Sequence, residues 1–472
     1  MKKIRILCLF LGVLLVFTAA IPAVQAEAMD QSAVNGCHGV DAQMPLSEEK
    51  QLVETAKAVI VYDLVSDTMI YTWNPDQQIY PSSMVKLMTA LVALEHGELT
   101  DKVVVTKRAL SHVAIGSVSA GLIAGEELTL GDLLYCMMAA SANDAATVIA
   151  EHIGGNQDTF IKLMNEKATA LGCTGTHYSN VHGLHDEQTY TTARDLCRIL
   201  EIALEDPEFK MLFSAESYTV PKTNKSEPRQ VYTSNYMMSN VSIKKYYDQR
   251  VTGGKTGATD EAGRCLAATA QGKGMELLTI VMGAKATYEA DGLSLKTFGS
   301  FEETKVLLDY TLENFEHRQL YIEGQTVSQF PVEGGTNSVV VTPEKPASTV
   351  LPIKLDTTKL TWIYPDAAGT LTAPVKKGQK ISSVQVWYGS KCLAQINLVA
   401  AHEVPVWKAP AVYVPQAKEE NMLEWKTVGT VLAILFAGAM VVVAMIFIRR
   451  GILSAMLRSR RRRRRINRRR SR

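Results

Sequence analysis

The chain has 472 residues, of which 47% are hydrophobic and 21% charged, and it carries 31 glycines and 16 prolines. This composition is globular, leaves room for two or three domains and excludes a disordered or fibrous chain. Three basic residues (Lys2, Lys3, Arg5) open the chain, and thirteen arginines lie between Arg449 and Arg472. Without these sixteen charges the formal net charge of +2 becomes −14 for the body, which argues against a body that binds nucleic acid.

The first 26 residues have the order of a secretory signal peptide. Basic residues are followed by an apolar run over 6–20 and a small-residue segment over 22–26, so we predict a signal peptide over 1–26 that is cleaved after Ala26. Cys8 lies inside the apolar run rather than at its end, which argues against a lipoprotein. Residues 27–46 are polar and lack periodicity, and we predict a flexible lead there.

Residues 47–317 predict strands, then helices, then strands. Two strands joined by a turn at Ser66 and Asp67 open this region, and an apolar-periodic helix follows Pro81 and stops at Gly97. Further helices are predicted over 130–153, 157–171 and 191–205, strands over 264–270 and 276–283, and a closing helix over 301–315. This order favours an α+β domain in which a helical cluster flanks an antiparallel sheet.

The C-terminal part divides into four predicted segments. Short β-type runs broken by glycine and proline predict a small all-β domain over 318–406, followed by a linker over 407–426. Residues 427–448 are uncharged, and as a helix these 22 residues would span about 33 Å, enough for one transmembrane helix. The arginines over 449–472 mark a cytoplasmic tail, which leaves the body extracytoplasmic.

The tail and the cysteines each leave alternatives open. We favour a tail that is held against anionic lipid, over one that binds nucleic acid or a cytoplasmic partner. Six cysteines remain after removal of the signal peptide, scattered over a body that can build its own core, and we expect mostly buried free thiols (Cys37, Cys136, Cys173, Cys197, Cys265, Cys392).

Three short strings carry the chemistry: Ser83-Met-Val-Lys86, Ser141-Ala-Asn143 and Lys255-Thr-Gly257. The Ser-x-x-Lys spacing recurs at Ser47 and at Ser242, but only Ser83 stands at the start of an apolar helix. There, residues i and i+3 share a face, so the hydroxyl can meet the amine.

A serine hydroxyl is a weak nucleophile until a base takes its proton, and a lysine is such a base only when its pKa falls well below its usual value. Burial and a second cation both lower the pKa of Lys86, and Lys255 could be that cation or could bind a substrate carboxylate. The helix start adds N–H groups and a positive dipole end beside Ser83, which suit an oxyanion.

In this order the three strings match the signature of serine penicillin-binding proteins and β-lactamases. The sequence around them resembles the D-alanyl-D-alanine carboxypeptidases, which are low-molecular-mass penicillin-binding proteins. The resemblance is carried by residues 80–89, 140–146, 192–195 and 254–263. The resemblance runs from about residue 56 to 315, and 371–400 looks like this family's small C-terminal β domain. It implies a β-lactamase and penicillin-binding-protein-like fold, peptidoglycan stem peptides as substrate, β-lactams as inhibitors, and no cofactor or metal.

The resemblance also implies roles for individual residues. Ser83 would attack the penultimate D-alanine carbonyl, Lys86 would accept its proton, and Ser141 would relay protons to the leaving amine or the deacylating water. The residues that would bind the substrate are Asn143, Lys255, Thr256, Gly257 and Ala258. Asn143 would hydrogen-bond the peptide or fix Lys86, and Lys255 and Thr256 would hold the terminal carboxylate. Gly257 would let the peptide lie against its strand. The backbone N–H groups of Ser83 and Ala258 would form the oxyanion hole.

Two features depart from the pattern of the relatives. Many relatives anchor through an amphipathic helix that lies on the membrane, whereas this chain has a full span and an arginine-rich tail. Val85 stands where a small residue or threonine is usual. The first departure bears on partners and membrane behaviour, and neither touches the reacting groups.

Other functions remain open at this stage. A DD-endopeptidase that cuts cross-links shares these motifs, and a β-lactamase shares the fold but needs a water-activating Glu-x-x-x-Asn loop that we do not find between the second and third strings. A non-catalytic cell-wall-binding protein is the alternative from another class. His177, His182, His185 and Asp186 could suggest zinc, but the stretch reads as a loop that frames the helical cluster.

Overall fold

The computed structural model describes residues 51–240, 243–290, 295–364, 371–389, 391–408 and 422–467. The signal peptide and lead predicted over 1–46, and the last five residues of the tail, lie outside the described residues. The strands are β1 (Ala58–Asp63), β2 (Thr68–Trp73), β3 (Lys102–Val104), β4 (Glu127–Thr129), β5 (Ser217–Val220), β6 (Arg229–Tyr232), β7 (Val251–Thr259), β8 (Gly263–Gly272), β9 (Met275–Ala284), β10 (Ala286–Tyr288), β11 (Leu295–Phe298), β12 (Phe315–Tyr321), β13 (Ser328–Phe330), β14 (Val339–Pro343), β15 (Ala347–Pro352), β16 (Leu360–Ile363), β17 (Lys380–Tyr388) and β18 (Lys391–Ala400). The helices are α1 (Val85–His96), α2 (Lys107–Ser111), α3 (Leu130–Met138), α4 (Asn143–Gly154), α5 (Gln157–Ala170), α6 (Ala193–Ala203), α7 (Pro207–Phe213), α8 (Gly299–Asn314) and α9 (Met422–Asn467).

A five-stranded antiparallel sheet, in the order β2-β1-β9-β8-β7, forms the centre of the first domain. Side chains alternate across it: Ile60 and Tyr62 join the core under the helical cluster, whereas Val59 and Val61 join the core under α8. Because both faces are covered, the inner strands are nearly continuous apolar runs. The predicted α+β arrangement of sheet and helical cluster is confirmed.

The helix predicted over 130–153 is wrong as a single element. It is two helices, α3 and α4, separated by a corner over 139–142. Ser141 adopts a φ of +63°, in the left-handed region that a right-handed helix excludes, so the first helix stops and α4 restarts at Asn143. The second of the three strings begins in this corner with Ser141 and ends at Asn143, the first residue of α4.

The C-terminal β domain holds a second five-stranded antiparallel sheet, in the order β13-β14-β18-β17-β16, and the separate pair β12-β15. Its own apolar core includes Val339, Val384 and Ile396. The helix α8 runs directly into β12, and Thr68 and Thr349 place their hydroxyl oxygens 3.4 Å apart. The expectation of an all-β domain after the closing helix is confirmed.

One helix within the described part of the chain is long and apolar enough to cross a membrane. Its apolar segment, Lys426–Met456, contains the predicted span over 427–448, and the most apolar 18 residues within it have a mean hydropathy of 3.0. The helix α9 begins at Met422, inside the stretch predicted as a linker, and continues into the arginine-rich segment as far as Asn467.

Four cysteines are free and buried, as expected: Cys136, Cys173, Cys197 and Cys265. Burial raises the pKa of the Cys136 thiol to about 12, so this side chain packs as a small apolar group. Cys392, by contrast, is disulfide-bonded, which the expectation of mostly free thiols did not anticipate.

Candidate active site

The three strings meet at one place, where the start of α1, the corner between α3 and α4, and the strand β7 come together. Lys86 Nζ donates to Ser83 Oγ at 3.1 Å and to Asn143 Oδ1 at 2.7 Å. Lys255 Nζ donates to Ser141 Oγ at 2.9 Å. Side chains that are 57 and 114 residues apart in sequence are therefore in hydrogen-bond contact.

Ser83 lies in a short 3-10 turn (Ser82–Met84) that leads into α1, and it is partly exposed among buried neighbours. Ser82 has a φ of +52°, and the turn is packed between two glycines. A Cβ on Gly183 would lie 1.9 Å from the carbonyl oxygen of Ser82, and one on Gly257 would lie 3.0 Å from that of Pro81. The fit of these glycines fixes the backbone that presents Ser83.

We expect Gly183→Ala to destabilise the chain much more than a glycine substitution with the same backbone conformation elsewhere. Gly183 and Gly172 both have positive φ, of +83° and +72°, but a Cβ at Gly172 meets nothing within 4 Å. Gly172→Ala should therefore lower the free energy of unfolding by about 1 kcal/mol, from backbone strain alone. Gly183→Ala should lower it by about 2–3 kcal/mol more, because its Cβ clashes with the turn. Denaturant unfolding of both variants tests this, and equal losses would contradict it.

Lys86 is fully buried and its amine is held in place by three acceptors, the third being the backbone carbonyl of His182 at 2.6 Å. Burial first, and then the nearby Lys255, hold the pKa of Lys86 well below its ordinary value of 10.5, while Asp144 opposes this shift. The pKa of His182 is lowered to about 4 by burial and by Lys86, so its ring is neutral at pH 7. A lysine of this kind can accept a proton from Ser83.

The corner between α3 and α4 supplies Ser141 and Asn143, both buried. The left-handed backbone at Ser141 turns its hydroxyl toward Lys255, and Asn143 begins α4 with its amide oxygen on Lys86. Asn143 also donates its backbone N–H to the carbonyl of Val118, at 2.8 Å. Of the two predicted residues, Ser141 therefore contacts Lys255 and Asn143 contacts Lys86.

The strand β7 supplies Lys255, Thr256, Gly257 and Ala258. Lys255 is fully buried, and burial lowers its pKa to about 7. Its amine also donates to the backbone carbonyl of Thr256, at 3.0 Å. Gly257 lies against the turn before α1, and Ala258 is exposed one residue further along the strand, opposite Arg264 on β8. The structure thus brings the three strings together at one place and puts Ala258 next to Gly257 on β7.

Two contributors to this site were not predicted from the sequence. Ser234 places its hydroxyl 2.6 Å from that of Thr256, so it orients the threonine that was predicted to meet a carboxylate. Asp144 follows Asn143 directly, and its carboxylate accepts hydrogen bonds from a neighbouring segment, Ser119–Leu122. Ser234 stands in a loop 21 residues before Lys255, where nothing in the spacing marks it, whereas Asp144 is the residue directly after the second string.

The histidines raised as a zinc alternative do not converge. His177 Nδ1 lies 2.6 Å from the carbonyl oxygen of Gln188, and the ring of His185 packs edge-on against Tyr80. Within the described ranges no three His, Cys, Asp or Glu residues form a group that could hold a metal ion. The loop that carries these histidines instead brings the carbonyl of His182 to Lys86.

Comparison with known proteins matches both domains. Residues 45–286 match the family described as D-alanyl-D-alanine carboxypeptidase, and residues 315–406 match the family described as penicillin-binding protein 5, C-terminal domain. The first match alone covers more than half of the chain.

Individual relatives agree with these families. The chain is 30% identical over 358 residues to D-alanyl-D-alanine carboxypeptidase DacA of Haemophilus influenzae, which covers 74% of this chain and 85% of that protein. It is 28% identical over 361 residues to D-alanyl-D-alanine carboxypeptidase DacF of Bacillus subtilis, covering 75% and 87%. The crystal structure of penicillin-binding protein 5 from Haemophilus influenzae superposes with a TM-score of 0.63 at 30% identity, covering 76% of this chain and 99% of that one.

Proposed function

Because this chain belongs to the D-alanyl-D-alanine carboxypeptidase family, we propose that it removes the terminal D-alanine from peptidoglycan stem pentapeptides through an acyl-enzyme at Ser83. The observation that carries the proposal is the contact of 3.1 Å between Ser83 Oγ and the buried amine of Lys86. In this site Lys86 is held by Asn143 and by the carbonyl of His182, so it faces the serine as a fixed base.

Acylation starts when Ser83 Oγ attacks the carbonyl carbon of the penultimate D-alanine and Lys86 Nζ accepts the hydroxyl proton. The negative charge that develops on the carbonyl oxygen is stabilised by the backbone N–H groups of Ser83 and Ala258. The bond to the terminal D-alanine nitrogen then breaks. Ser141, hydrogen-bonded to Lys255, relays a proton to that leaving amine.

Lys255 and Thr256 recognise the free carboxylate of the terminal D-alanine. A lysine with an adjacent hydroxyl offers charge-assisted hydrogen bonds to both carboxylate oxygens. Ser234 holds the hydroxyl of Thr256 in position, and the absence of a side chain at Gly257 lets the peptide lie against β7. A peptide without a free terminal carboxylate would leave this buried cation unpaired, which disfavours its binding.

Deacylation needs a water molecule that attacks the ester carbon while Lys86 or Ser141 takes its proton. A β-lactam acylates the same serine, but its leaving nitrogen stays attached to the acyl group. That group therefore remains in the cleft beside the site that the water must enter. We propose that β-lactams act on this chain as long-lived covalent inhibitors.

The proposed function is tested with the full-length chain in detergent and two substrates. We expect rapid release of D-alanine from a diacyl-L-Lys-D-Ala-D-Ala peptide and slow cleavage of a cross-linked muropeptide dimer, with both reactions blocked by prior exposure to penicillin. If only the dimer is cleaved, the chain is a DD-endopeptidase instead. If penicillin is hydrolysed rapidly, the chain is a β-lactamase. The absence of both cleavage and a penicillin adduct would indicate a wall-binding protein.

The location that fits this function is the outer face of the cell membrane. We infer that the signal peptide exports the body, that the apolar helix anchors the chain, and that the arginines after residue 448 hold the tail at the cytoplasmic face. The apolar helix Lys426–Met456 supports this arrangement. Protease protection of the tail in sealed, right-side-out vesicles would test its orientation.

A further inference from the structure

A short segment, Val118–Leu122, lies beside the catalytic corner, and we call it the strap. Its hydrogen bonds converge on Asp144. The carboxylate accepts from Ser119 Oγ at 2.6 Å, from the N–H of Ala120 at 2.9 Å and from the N–H of Leu122 at 3.0 Å. Next to it, the N–H of Asn143 donates to the carbonyl of Val118.

The strap has little else to hold it. Ser119 and Gly121 are exposed, Val118 is 54% exposed, and only Leu122 is buried. Among the described residues, each hydrogen bond that joins the strap to a helix or strand ends on Asn143 or Asp144. The attachment of the strap and the placement of Asn143 are therefore one hydrogen-bonded unit at the start of α4.

Asp144 is itself buried, with 2% of its surface exposed, and it also accepts from the N–H of Ala145 at 2.9 Å. It forms no ion pair within the described ranges. The charged or titratable groups that face Lys86 are Lys255 on β7, Asp144 on α4 and the neutral His182 on its loop. Asp144 is the only one of these whose negative charge favours the ammonium form of Lys86.

We propose that Asp144 is a positioning residue: it fastens the strap beside Asn143, so that Asn143 holds the amine of Lys86 at Ser83, and its buried negative charge acts on Lys86 against the charge of Lys255. This inference rests on the proposed function, because it takes Lys86 as the base for Ser83. The position of the strap then depends on the carboxylate of Asp144 and on the backbone bond from Asn143 to Val118. Asp144 acts through Asn143 and Lys86 and does not itself touch the substrate.

The charge and the attachment are separable by substitution. Asp144→Asn removes the charge and at least two acceptor contacts, whereas Asp144→Glu keeps the charge. Ser119→Ala changes no charge, but it removes one bond to Asp144 and the bond that Ser119 Oγ accepts from the N–H of Gly121, at 2.9 Å. Asp63→Asn is the matched control, since Asp63 is a fully buried carboxylate that fastens a turn on β1, accepting from Ser66 and Glu276, outside the three strings.

The measurement is the rate constant for acylation by a fluorescent penicillin, as a function of pH, with the full-length chain in detergent and thermal unfolding in parallel. We expect a fall of roughly tenfold or more for Asp144→Asn, a smaller fall for Ser119→Ala, and partial recovery for Asp144→Glu. The acid limb of the profile should move to lower pH only for Asp144→Asn, because loss of the anion lowers the pKa of Lys86. Asp63→Asn should lose stability but keep the rate constant and the profile of the parent.

The opposite results would overturn the inference. An acid limb that does not move in Asp144→Asn, together with a rate constant for Ser119→Ala equal to that of the parent chain, would reduce Asp144 to a structural residue like Asp63. If the parent chain itself is not acylated at Ser83, the proposed function fails first. Acylation of the parent with unchanged profiles in the variants would mean that this inference alone fails.

Discussion

Replacing Ser83 with alanine is expected to abolish D-alanine release, lowering kcat by a factor of about 10⁴ or more. The reason is that the proposed acyl-enzyme needs an oxygen at this position, and Lys86 without it has no hydroxyl to deprotonate. The fold should survive, since Ser83 is partly exposed and, among the described residues, its hydroxyl forms one hydrogen bond, to Lys86. Release of D-alanine and the mass of a penicillin adduct are the two readouts.

The neighbouring serine is a matched control for this experiment. Ser82 is buried, and its hydroxyl has no hydrogen-bond partner among the described residues. Ser82→Ala should therefore leave activity and adduct formation intact and should raise the free energy of unfolding slightly, because a buried hydroxyl without a partner is costly. An adduct that still forms in Ser83→Ala, or one lost in Ser82→Ala, would place the nucleophile elsewhere.

Lys86→Met should lower the acylation rate constant by about 10³ with little change in KM, because methionine keeps the buried apolar stem but offers no base. Lys255→Met should act in another way and raise KM, since it removes the cation that holds the substrate carboxylate. The two variants therefore separate the base from the carboxylate site. A similar effect of both on KM, with kcat preserved in Lys86→Met, would contradict the proposed role of Lys86.

The pH dependence of kcat/KM follows from the same two lysines. Since burial and Lys255 hold the pKa of Lys86 well below 10.5, we expect activity to fall as lower pH protonates this proposed base. The pKa of Lys255 is about 7, so its charge, and with it recognition of the carboxylate, is lost as pH rises through about 7 in the free enzyme. We expect a bell-shaped profile whose acid limb disappears in Lys86→Met.

Much of this site could be read from the linear chain. The turn before α1, the apolar periodicity that ends at Gly97, and the order of the three strings together predicted the nucleophile, its lysine and the carboxylate site. The sheet and the C-terminal β domain followed from alternating and apolar runs. These features are local, since backbone preference and side-chain periodicity act over a few residues.

The failures of sequence analysis are informative in the same terms. Residues 130–153 are apolar with helical periodicity on both sides of the corner, so the pattern predicted one helix and missed the left-handed turn at Ser141. The role of Ser234 depends on a contact with Thr256, 22 residues away. The three bonds from the strap to Asp144 span 22 to 25 residues. None of these contacts has a signature in spacing.

By itself, the sequence determined which chemical groups this protein has, where α1 begins, and which family its strings resemble. Only the tertiary structure decided that the two lysines share one buried site, that burial lowers the pKa of both, and that Asp144 is the carboxylate that acts on Lys86. The physical reason is that burial and charge proximity depend on packing between elements far apart in the chain. The bonds from Lys86 to His182 and from Lys255 to Ser141 join residues that are 96 and 114 positions apart, and burial among these distant elements lowers the pKa of both lysines.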